Sequence, residues 1–240
     1  MRGLTGGVGF PLPGEGILSR LVKNIGDEKW ACQEVIDTAL AMSDSKLSPG
    51  TSGNVSMRFG DHVLITPSGM AYADLLPDDI VSLSLEGEVL SGVRLPSSEW
   101  HFHCAIYRAR GDVRGIVHTH SPYATALACL EQSIPAFHYM VAVAGGDDIP
   151  CVPYATFGTD ELGAHVVAGL ATRAACLLSH HGQIATGESL GKAYGLAHEV
   201  ETLAQHYHLA CQVGTPTILD EQEMARVLEK FKTYGKQPEV

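Results

Sequence analysis

The histidine pair at His118 and His120 has a spacing that could support metal chemistry if the two residues lie on a strand. The pair follows residues 114–117, an apolar run typical of a buried strand. Because successive side chains of a strand point to opposite faces, these two imidazoles face the same way and could share one divalent ion. The chain has 12 histidines among 240 residues, so such a pair could also arise by chance. The pair alone does not define a site.

Two further residues could complete a metal centre. His180 and His181 follow a second strand pattern, residues 175–179, and only one of these neighbours can face the same ion. Three nitrogen donors with an open position are the ligand set of a catalytic zinc ion. Glu99 begins a predicted helix, where the helix dipole favours a carboxylate. It is either a helix-terminal carboxylate, or a proton-transfer group or removable metal ligand.

Three short loops carry small residues with hydroxyl or amide donors: Gly53-Asn54, Ser68-Gly69 and Ser97-Ser98. Loops and helix starts of this kind can bind a phosphate through backbone N–H groups, without lysine or arginine. Each is also an ordinary turn, so the spacing does not establish a phosphate site.

The remaining histidines do not extend the metal hypothesis. His198-Glu199 begins like a zinc-protease motif, but Thr202 stands where the second histidine is needed. His206 and His208 are two residues apart on a predicted helix and do not face each other. Four others are typical of helix or core positions: His101, His103, His138 and His165.

Composition narrows the function classes. The net charge of -11 argues against nucleic-acid binding, while 45% apolar and 18% charged residues are typical of a globular protein. No segment reaches the roughly 18 apolar residues that span a bilayer, and the N-terminus lacks the apolar region of a secretory signal. The six cysteines form no C-x-x-C and are interpreted as small core residues. These patterns predict a cytoplasmic protein that binds neither membranes nor nucleic acids.

Apolar periodicity predicts a mixture of helices and strands. We predict helices at 27–45, 97–111, 122–130, 159–173, 189–213 and 220–234, and strands at 53–59, 62–66, 80–85, 114–120, 149–157 and 175–179. We therefore expect residues 1–24 to be an irregular N-terminal extension and residues 25–240 to form a single α/β domain. Its central sheet should be mixed and largely antiparallel, between layers of helices.

Several motifs, read in order, closely resemble the class II aldolase/adducin family over residues Trp30 to Tyr234. They are Gly50–Ser56, Leu64–Gly69, Leu95–Trp100, His118–His120, Ile134–Met140, Pro153–Thr159, His180–Gly182 and Lys230–Gly235. The resemblance implies a three-layer α/β/α domain in a homotetramer with active sites between subunits. The N-terminal extension is longer than the resemblance explains, and the loop between residues 213 and 221 looks shortened.

The resemblance also implies roles for particular residues. The metal ligands would be His118, His120, His181 and Glu99, holding one zinc ion per subunit. The catalytic residues would be Glu99 as acid/base, Tyr139 as a proton donor reaching a neighbour's site, and Tyr234 near the aldehyde, with Phe157 lining that pocket. The phosphate would be bound by Gly53, Asn54, Ser68, Gly69, Ser97 and Ser98, which we call the cradle.

The activity so implied is zinc-dependent cleavage of a ketose 1-phosphate, such as L-fuculose 1-phosphate. The products would be dihydroxyacetone phosphate and an aldehyde such as L-lactaldehyde, in a reversible reaction. An alternative keeps this chemistry with 5-deoxyribulose or 5-(methylthio)ribulose 1-phosphate, as in nucleoside by-product salvage. Further alternatives are a sugar-phosphate 4-epimerase, a dehydratase and a non-catalytic, adducin-like scaffold.

Overall fold

A computed structural model describes residues 15–233, with side chains from residue 27 onward. Its helices are α1 (Glu15–Asp44), α2 (Trp100–Ala109), α3 (Pro122–Ala128), α4 (Asp160–Gly169), α5 (Leu190–Val213) and α6 (Glu221–Phe231). Its strands are β1 (Asn54–Phe59), β2 (His62–Ile65), β3 (Val81–Ser84), β4 (Val89–Ser91), β5 (Gly115–Thr119), β6 (Cys151–Val152), β7 (Ala175–Leu178) and β8 (Gly182–Gly187). Short 3-10 helices lie at Tyr72–Asp74, Pro77–Asp79 and Tyr139–Ala144.

The strands form one mixed sheet in the order β4-β3-β2-β1-β5-β8-β7-β6. Every neighbouring pair is antiparallel except β6 and β7. Strand β5 therefore lies in the middle, with β1 on one side and β8 on the other. The mixed, largely antiparallel sheet predicted from the sequence is confirmed.

Helices cover both faces of this sheet. Along β5, Val117 belongs to the core beneath α1, α3, α5 and α6, whereas Ile116 belongs to the core beneath α2 and α4. Both side chains have no solvent exposure, as expected where neighbouring strand residues face opposite layers. The protein is thus a three-layer α/β/α domain, as predicted.

The N-terminal prediction needs a correction. Helix α1 begins at Glu15, so residues 15–24, which we expected to be irregular, are helical. Ile17, Leu18, Leu21, Val22 and Ile25 recur at helical spacing in this segment, and the glycines and prolines that suggested a loop all precede residue 17. Residues 1–14 of the predicted extension lie outside the described residues.

Strands β4 and β8 were missed by the sequence analysis. Strand β4 has three exposed residues at the edge of the sheet, so it carries no alternation of apolar and polar side chains. Strand β8 begins and ends with glycine and includes Gln183 and Thr186, which are both buried. Buried polar residues hide the strand pattern, although β8 lies inside the sheet between β5 and β7.

The cysteine interpretation is only partly correct. Cys32, Cys104 and Cys176 are buried, whereas Cys129 and Cys211 are exposed. Cys129 directly follows the last residue of α3. It belongs to the apolar run that suggested burial, but its side chain is exposed. In the described part of the chain, no helix is both long and apolar enough to cross a membrane.

Because β5 is central in the sheet, substitutions on it should lower the free energy of unfolding more than substitutions on the edge strand β4. Ile116→Ala should lower the free energy of unfolding by about 2–5 kcal/mol, because it removes a fully buried side chain from the core. The matched change at the edge strand, Val89→Ala, should cost about 0.5 kcal/mol or less, because Val89 is 55% exposed. Denaturant unfolding at one protein concentration measures both. Equal losses would contradict the central position of β5.

Candidate metal centre

Four segments meet at one end of the central strands: the start of β1, the end of β5, the β7–β8 turn and the start of α2. Because β1 and β8 both run antiparallel to β5, their first residues lie beside the last residues of β5. Asn54 is directly opposite His118 in the register. Glu99 occupies the N-cap position of α2. Its carboxylate contacts His118 at the end of β5.

The predicted metal ligands converge here. One donor atom from each of Glu99, His118, His120 and His181 lies within 4.8 Å of the other three. The Nε2 atoms of His118 and His120 are 3.1 Å apart. His118 Nε2 lies 3.1 Å from Glu99 Oε2, and His181 Nε2 lies 3.0 Å from Glu99 Oε1. The H-x-H geometry and the third histidine are therefore brought together as predicted.

Hydrogen bonding orients the donors towards a shared centre. Nδ1 of His118 lies 2.9 Å from the carbonyl oxygen of Gln183, so the ring proton sits on Nδ1 and the lone pair on Nε2. Glu99 Oε1 is buried, and it accepts no hydrogen bond from any described residue despite its contact with His181. Unpaired acceptors facing one another are unfavourable unless a cation binds between them. The residues present therefore fit a divalent metal ion.

The electrostatics of the site follow from burial and from these contacts. Burial raises the pKa of Glu99, but positive charge or a donated hydrogen bond from the imidazoles of His118 and His181 outweighs this effect and holds that pKa well below its ordinary value. A divalent cation between these groups would act in the same direction. Burial, with a smaller contribution from His118 and His181, lowers the pKa of His120 to about 4. At neutral pH Glu99 is a carboxylate and His120 is neutral, the forms that bind a metal.

A tight turn decides which histidine of the pair joins the centre. The N–H of His181 donates to the carbonyl oxygen of Leu178 at 3.0 Å, and His180 takes φ +54° inside this turn. Few residues other than glycine adopt that conformation. His180 is turned outward, with its Nε2 atom 3.5 Å from a carboxylate oxygen of Glu131, whereas His181 faces Glu99.

Two glycines allow the strands to approach closely enough to build the centre. A Cβ at residue 182 would lie 2.3 Å from the carbonyl oxygen of Thr119 and 3.0 Å from the His120 ring. A Cβ at residue 53 would lie 2.6 Å from the carbonyl oxygen of His118, and Gly53 also has φ +81°. Gly182 was not recognised as a site residue from the sequence, although its place directly after the histidine pair is a usable signal.

A cavity of about 350 Å³ opens beside the metal centre. All six cradle residues line it, together with Glu99, His120 and His181. The loops that carry them are joined by backbone hydrogen bonds from Ser68 to Leu95 and from Ser97 to Thr66, both 3.0 Å long. The described residues lining the cavity include no lysine or arginine. The cradle is thus assembled in one place, while its role stays a prediction.

The predicted aldehyde-side residues are placed less completely. Phe157 lines the cavity and is 63% exposed, and Tyr154, which the sequence analysis missed, lies beside it with 57% exposure. Tyr139 is 46% exposed and does not line this cavity. Its predicted reach into a neighbouring subunit stays a prediction. Tyr234 lies outside the described residues.

A chain of buried hydrogen bonds behind the cavity was also missed. His103 contacts Asn54 and Ser56, and burial, with a smaller contribution from His118, lowers its pKa to about 3. From the sequence we predict His103 to be a core histidine, and its complete burial agrees with this. Its position four residues after Glu99 on one helix was the available signal, because residues so spaced share a helix face.

Comparison with known proteins identifies the family of this architecture. The model of the family described as "Class II Aldolase and Adducin N-terminal domain" matches residues 33–208. A 5-methylthioribulose-1-phosphate/5-deoxyribulose-1-phosphate aldolase of Rhodospirillum rubrum is 56% identical over 84% of this chain and 90% of its own. An L-fuculose phosphate aldolase of Escherichia coli is 51% identical over 85% of this chain and 94% of its own.

Solved structures agree with the sequence relatives. An L-fuculose 1-phosphate aldolase superposes with a TM-score of 0.82 at 41% identity, covering 84% of this chain and 96% of its own. An L-fuculose-1-phosphate aldolase from Thermus thermophilus gives a TM-score of 0.66 at 29% identity, covering 80% and 100% of the two chains.

The histidine pair provides a matched test of the metal centre. His181→Ala should abolish stoichiometric binding of a divalent metal, because it removes a donor that faces Glu99. His180→Ala should keep the metal, because that side chain is turned towards Glu131. Metal analysis after dialysis against zinc and then against metal-free buffer measures the difference. Loss of metal from the His180 variant alone would reverse the assignment.

Proposed function

We propose that this member of the class II aldolase and adducin family uses zinc and cleaves a ketose 1-phosphate. The chain belongs to that family and is a metal-dependent aldolase, a carbon–carbon lyase. The products would be dihydroxyacetone phosphate and a short aldehyde, formed reversibly. The observation that carries this proposal is a cluster of four metal donors, three of which line the same cavity as the six cradle residues.

The donor set supports zinc, with one ion per subunit. Three imidazole nitrogens leave an open coordination position, and Glu99 is a fourth donor that a substrate could replace. A divalent metal bound there supplies Lewis-acid stabilisation of the negative charge that develops when the carbon–carbon bond breaks. The hydrogen bond from His118 to the Gln183 carbonyl keeps one ligand oriented whether or not substrate is present.

The cradle would hold the phosphate group. Its members offer serine hydroxyls, an asparagine amide and backbone N–H groups, all lining the same cavity as His120 and His181. Neutral donors are sufficient for phosphate when several point at one place. Binding there would fix the distance between the phosphate and the carbonyl group two bonds further along the substrate.

Two side chains would move the protons. Tyr139 of a neighbouring subunit would donate its proton to the aldehyde oxygen in the aldol-forming direction. In cleavage it would enter as the phenolate, take the proton from the C4 hydroxyl as that oxygen becomes the aldehyde carbonyl, and then exchange that proton with solvent. The electron pair of the C3–C4 bond passes to the carbonyl end of the substrate and leaves an enediolate. Glu99, placed at the cavity wall, would then deliver a proton to C3 and complete dihydroxyacetone phosphate. Because the resting group is a carboxylate, Glu99 would first take up this proton from solvent and would return to the carboxylate form once C3 is protonated.

The aldehyde half of the substrate is the less defined end. Tyr154 and Phe157 place exposed aromatic rings at the cavity, which favours an aldehyde with an apolar end. L-fuculose 1-phosphate would release L-lactaldehyde, which ends in a methyl group. The second candidates, 5-deoxyribulose and 5-(methylthio)ribulose 1-phosphate, would release aldehydes ending in methyl or methylthio groups. The names of the two relatives support both choices equally.

The remaining parts of the proposal concern assembly and the rival functions. We propose a cytoplasmic homotetramer whose active sites lie between subunits, which would bring Tyr139 to a cavity that it does not line within one chain. A 4-epimerase or dehydratase would use the same metal and cradle without releasing dihydroxyacetone phosphate. A non-catalytic, adducin-like scaffold would not need the complete donor set that is present.

A substrate panel tests the activity. The zinc-loaded protein should release dihydroxyacetone phosphate from ketose 1-phosphates, measured by coupling the release to NADH oxidation. The three candidate substrates should differ in kcat/KM, because they differ beyond C4, at the end that the aromatic rings of the cavity would contact. Ketose 1-phosphates ending in a charged group should be poor substrates at an aromatic rim. No release from any member of the panel would refute the proposed substrate class.

Mixing two variants tests the shared site. Tyr139→Phe should lower kcat by about 100-fold or more, because the proton-transfer group is lost. His181→Ala should be inactive because it lacks the metal. Co-assembled subunits of the two variants should regain activity, since some sites then combine an intact metal centre with an intact tyrosine. If Tyr139 acts within its own chain, the mixture will show only the activity of its components.

A further inference from the structure

Behind the cavity, a line of buried side chains leads from the core of the protein to Glu99. Its members are Tyr107, Ser56, His103 and Asn54, each at most 3% exposed. Asn54 Nδ2 lies 2.9 Å from Glu99 Oε2, and Asn54 Oδ1 lies 2.5 Å from His103 Nε2. His103 Nδ1 lies 2.6 Å from Ser56 Oγ.

The Glu99 carboxylate determines the direction of each hydrogen bond in this line. Glu99 is a carboxylate and can only accept, so the Asn54 amide must turn its NH₂ group towards Glu99. The amide oxygen then faces His103, and a contact of 2.5 Å between two acceptors would be repulsive, so His103 carries a proton on Nε2. Neutral His103 has its lone pair on Nδ1, which accepts the hydroxyl proton of Ser56.

We propose that His103 is a positioning residue that holds the Asn54 amide in the orientation needed to bind the substrate phosphate and to restrain Glu99. This inference rests on the proposed function of the cavity. Asn54 Nδ2 carries two hydrogens, and its one hydrogen bond within the described residues goes to Glu99. Because Asn54 lines the cavity, the second hydrogen is placed for a phosphate oxygen there.

A reversed amide would harm both contacts at once. Rotation by half a turn would place the Asn54 oxygen against the Glu99 carboxylate and present an acceptor to the phosphate. Two acceptors would then face each other in a buried site, which is costly. The proton on His103 Nε2 prevents this rotation, and Ser56 keeps that proton in place because its hydroxyl occupies Nδ1. Ser56 is itself contacted at 3.0 Å by the Tyr107 hydroxyl.

The first test reads the tautomer of the unaltered, zinc-loaded protein. A long-range ¹H–¹⁵N spectrum of histidine-labelled protein should show His103 neutral, with protonated Nε2 and unprotonated Nδ1. His103→Gln identifies the resonance by its disappearance. A His103 protonated on Nδ1, or on both nitrogens at neutral pH, would overturn the proposal. This measurement does not depend on catalysis.

The second test uses matched variants and inorganic phosphate as the probe. His103→Leu should weaken phosphate binding by about 10-fold or more, because the donor to Asn54 is lost. His103→Gln should regain most of the affinity, because its amide can donate at the position of Nε2. His101→Leu, on the same helix, should bind like the unaltered protein. Calorimetric titration of each zinc-loaded variant measures these affinities.

The outcomes separate this proposal from the proposed function. Equal phosphate affinity in all variants, or equal loss in the Leu and Gln variants at His103, would reject a positioning role. If His103→Leu does not fold, Ser56→Ala provides the comparison, with an expected loss of several-fold because the His103 tautomer is no longer held. If the unaltered protein cleaves no ketose 1-phosphate, the proposed function fails while the spectrum still decides the tautomer.

Discussion

The buried carboxylate of Glu99 faces three imidazoles, and the surrounding hydrogen bonds hold these four groups close together. Carboxylate oxygens and imidazole lone pairs repel one another in a site with little water, unless a cation or protons lie between them. The protein holds the groups in place through the Gln183 carbonyl on one side and the Asn54 amide on the other. The site is therefore built in advance of the ion that it binds.

The antiparallel sheet supplies the rigidity that this arrangement requires. Two of the donors stand on or directly after β5, which is hydrogen-bonded to a strand on each side. The glycines at residues 53 and 182 let those neighbours approach where any side chain would collide with a carbonyl oxygen. The cavity wall opposite is made of loops, and these carry the exposed aromatic rings of Tyr154 and Phe157. The metal donors thus stand mainly on or beside the sheet, whereas the aromatic residues proposed to select the substrate stand on loops.

The sequence predicted the metal centre better than the frame around it. His118 and His120 could be paired because the two-residue period of a strand is a local rule. Glu99 and the pair His180-His181 were candidates from their places at a helix start and a strand end, and the family resemblance then favoured His181. Strand β8 was missed because its buried polar residues bond to partners that are distant in the sequence. The side-chain NH₂ of Gln183, for example, donates to the Ser121 hydroxyl and to the Ala197 carbonyl oxygen. The start of α1 was set too late, because the glycines and prolines before it dominated the interpretation. His103 looked like an ordinary core histidine, since its partner Asn54 lies on another element.

The strand order also bears on how the protein folds. The site combines Asn54 on β1, His118 on β5 and His181 in the β7–β8 turn. These segments are far apart along the chain and become adjacent only when the sheet has formed. Contacts between such distant segments form slowly, because long loops must be ordered first. Metal cannot template the early steps, since no local segment holds a complete ligand set. We therefore expect the ion to bind after the folding transition state and to slow unfolding rather than to speed folding.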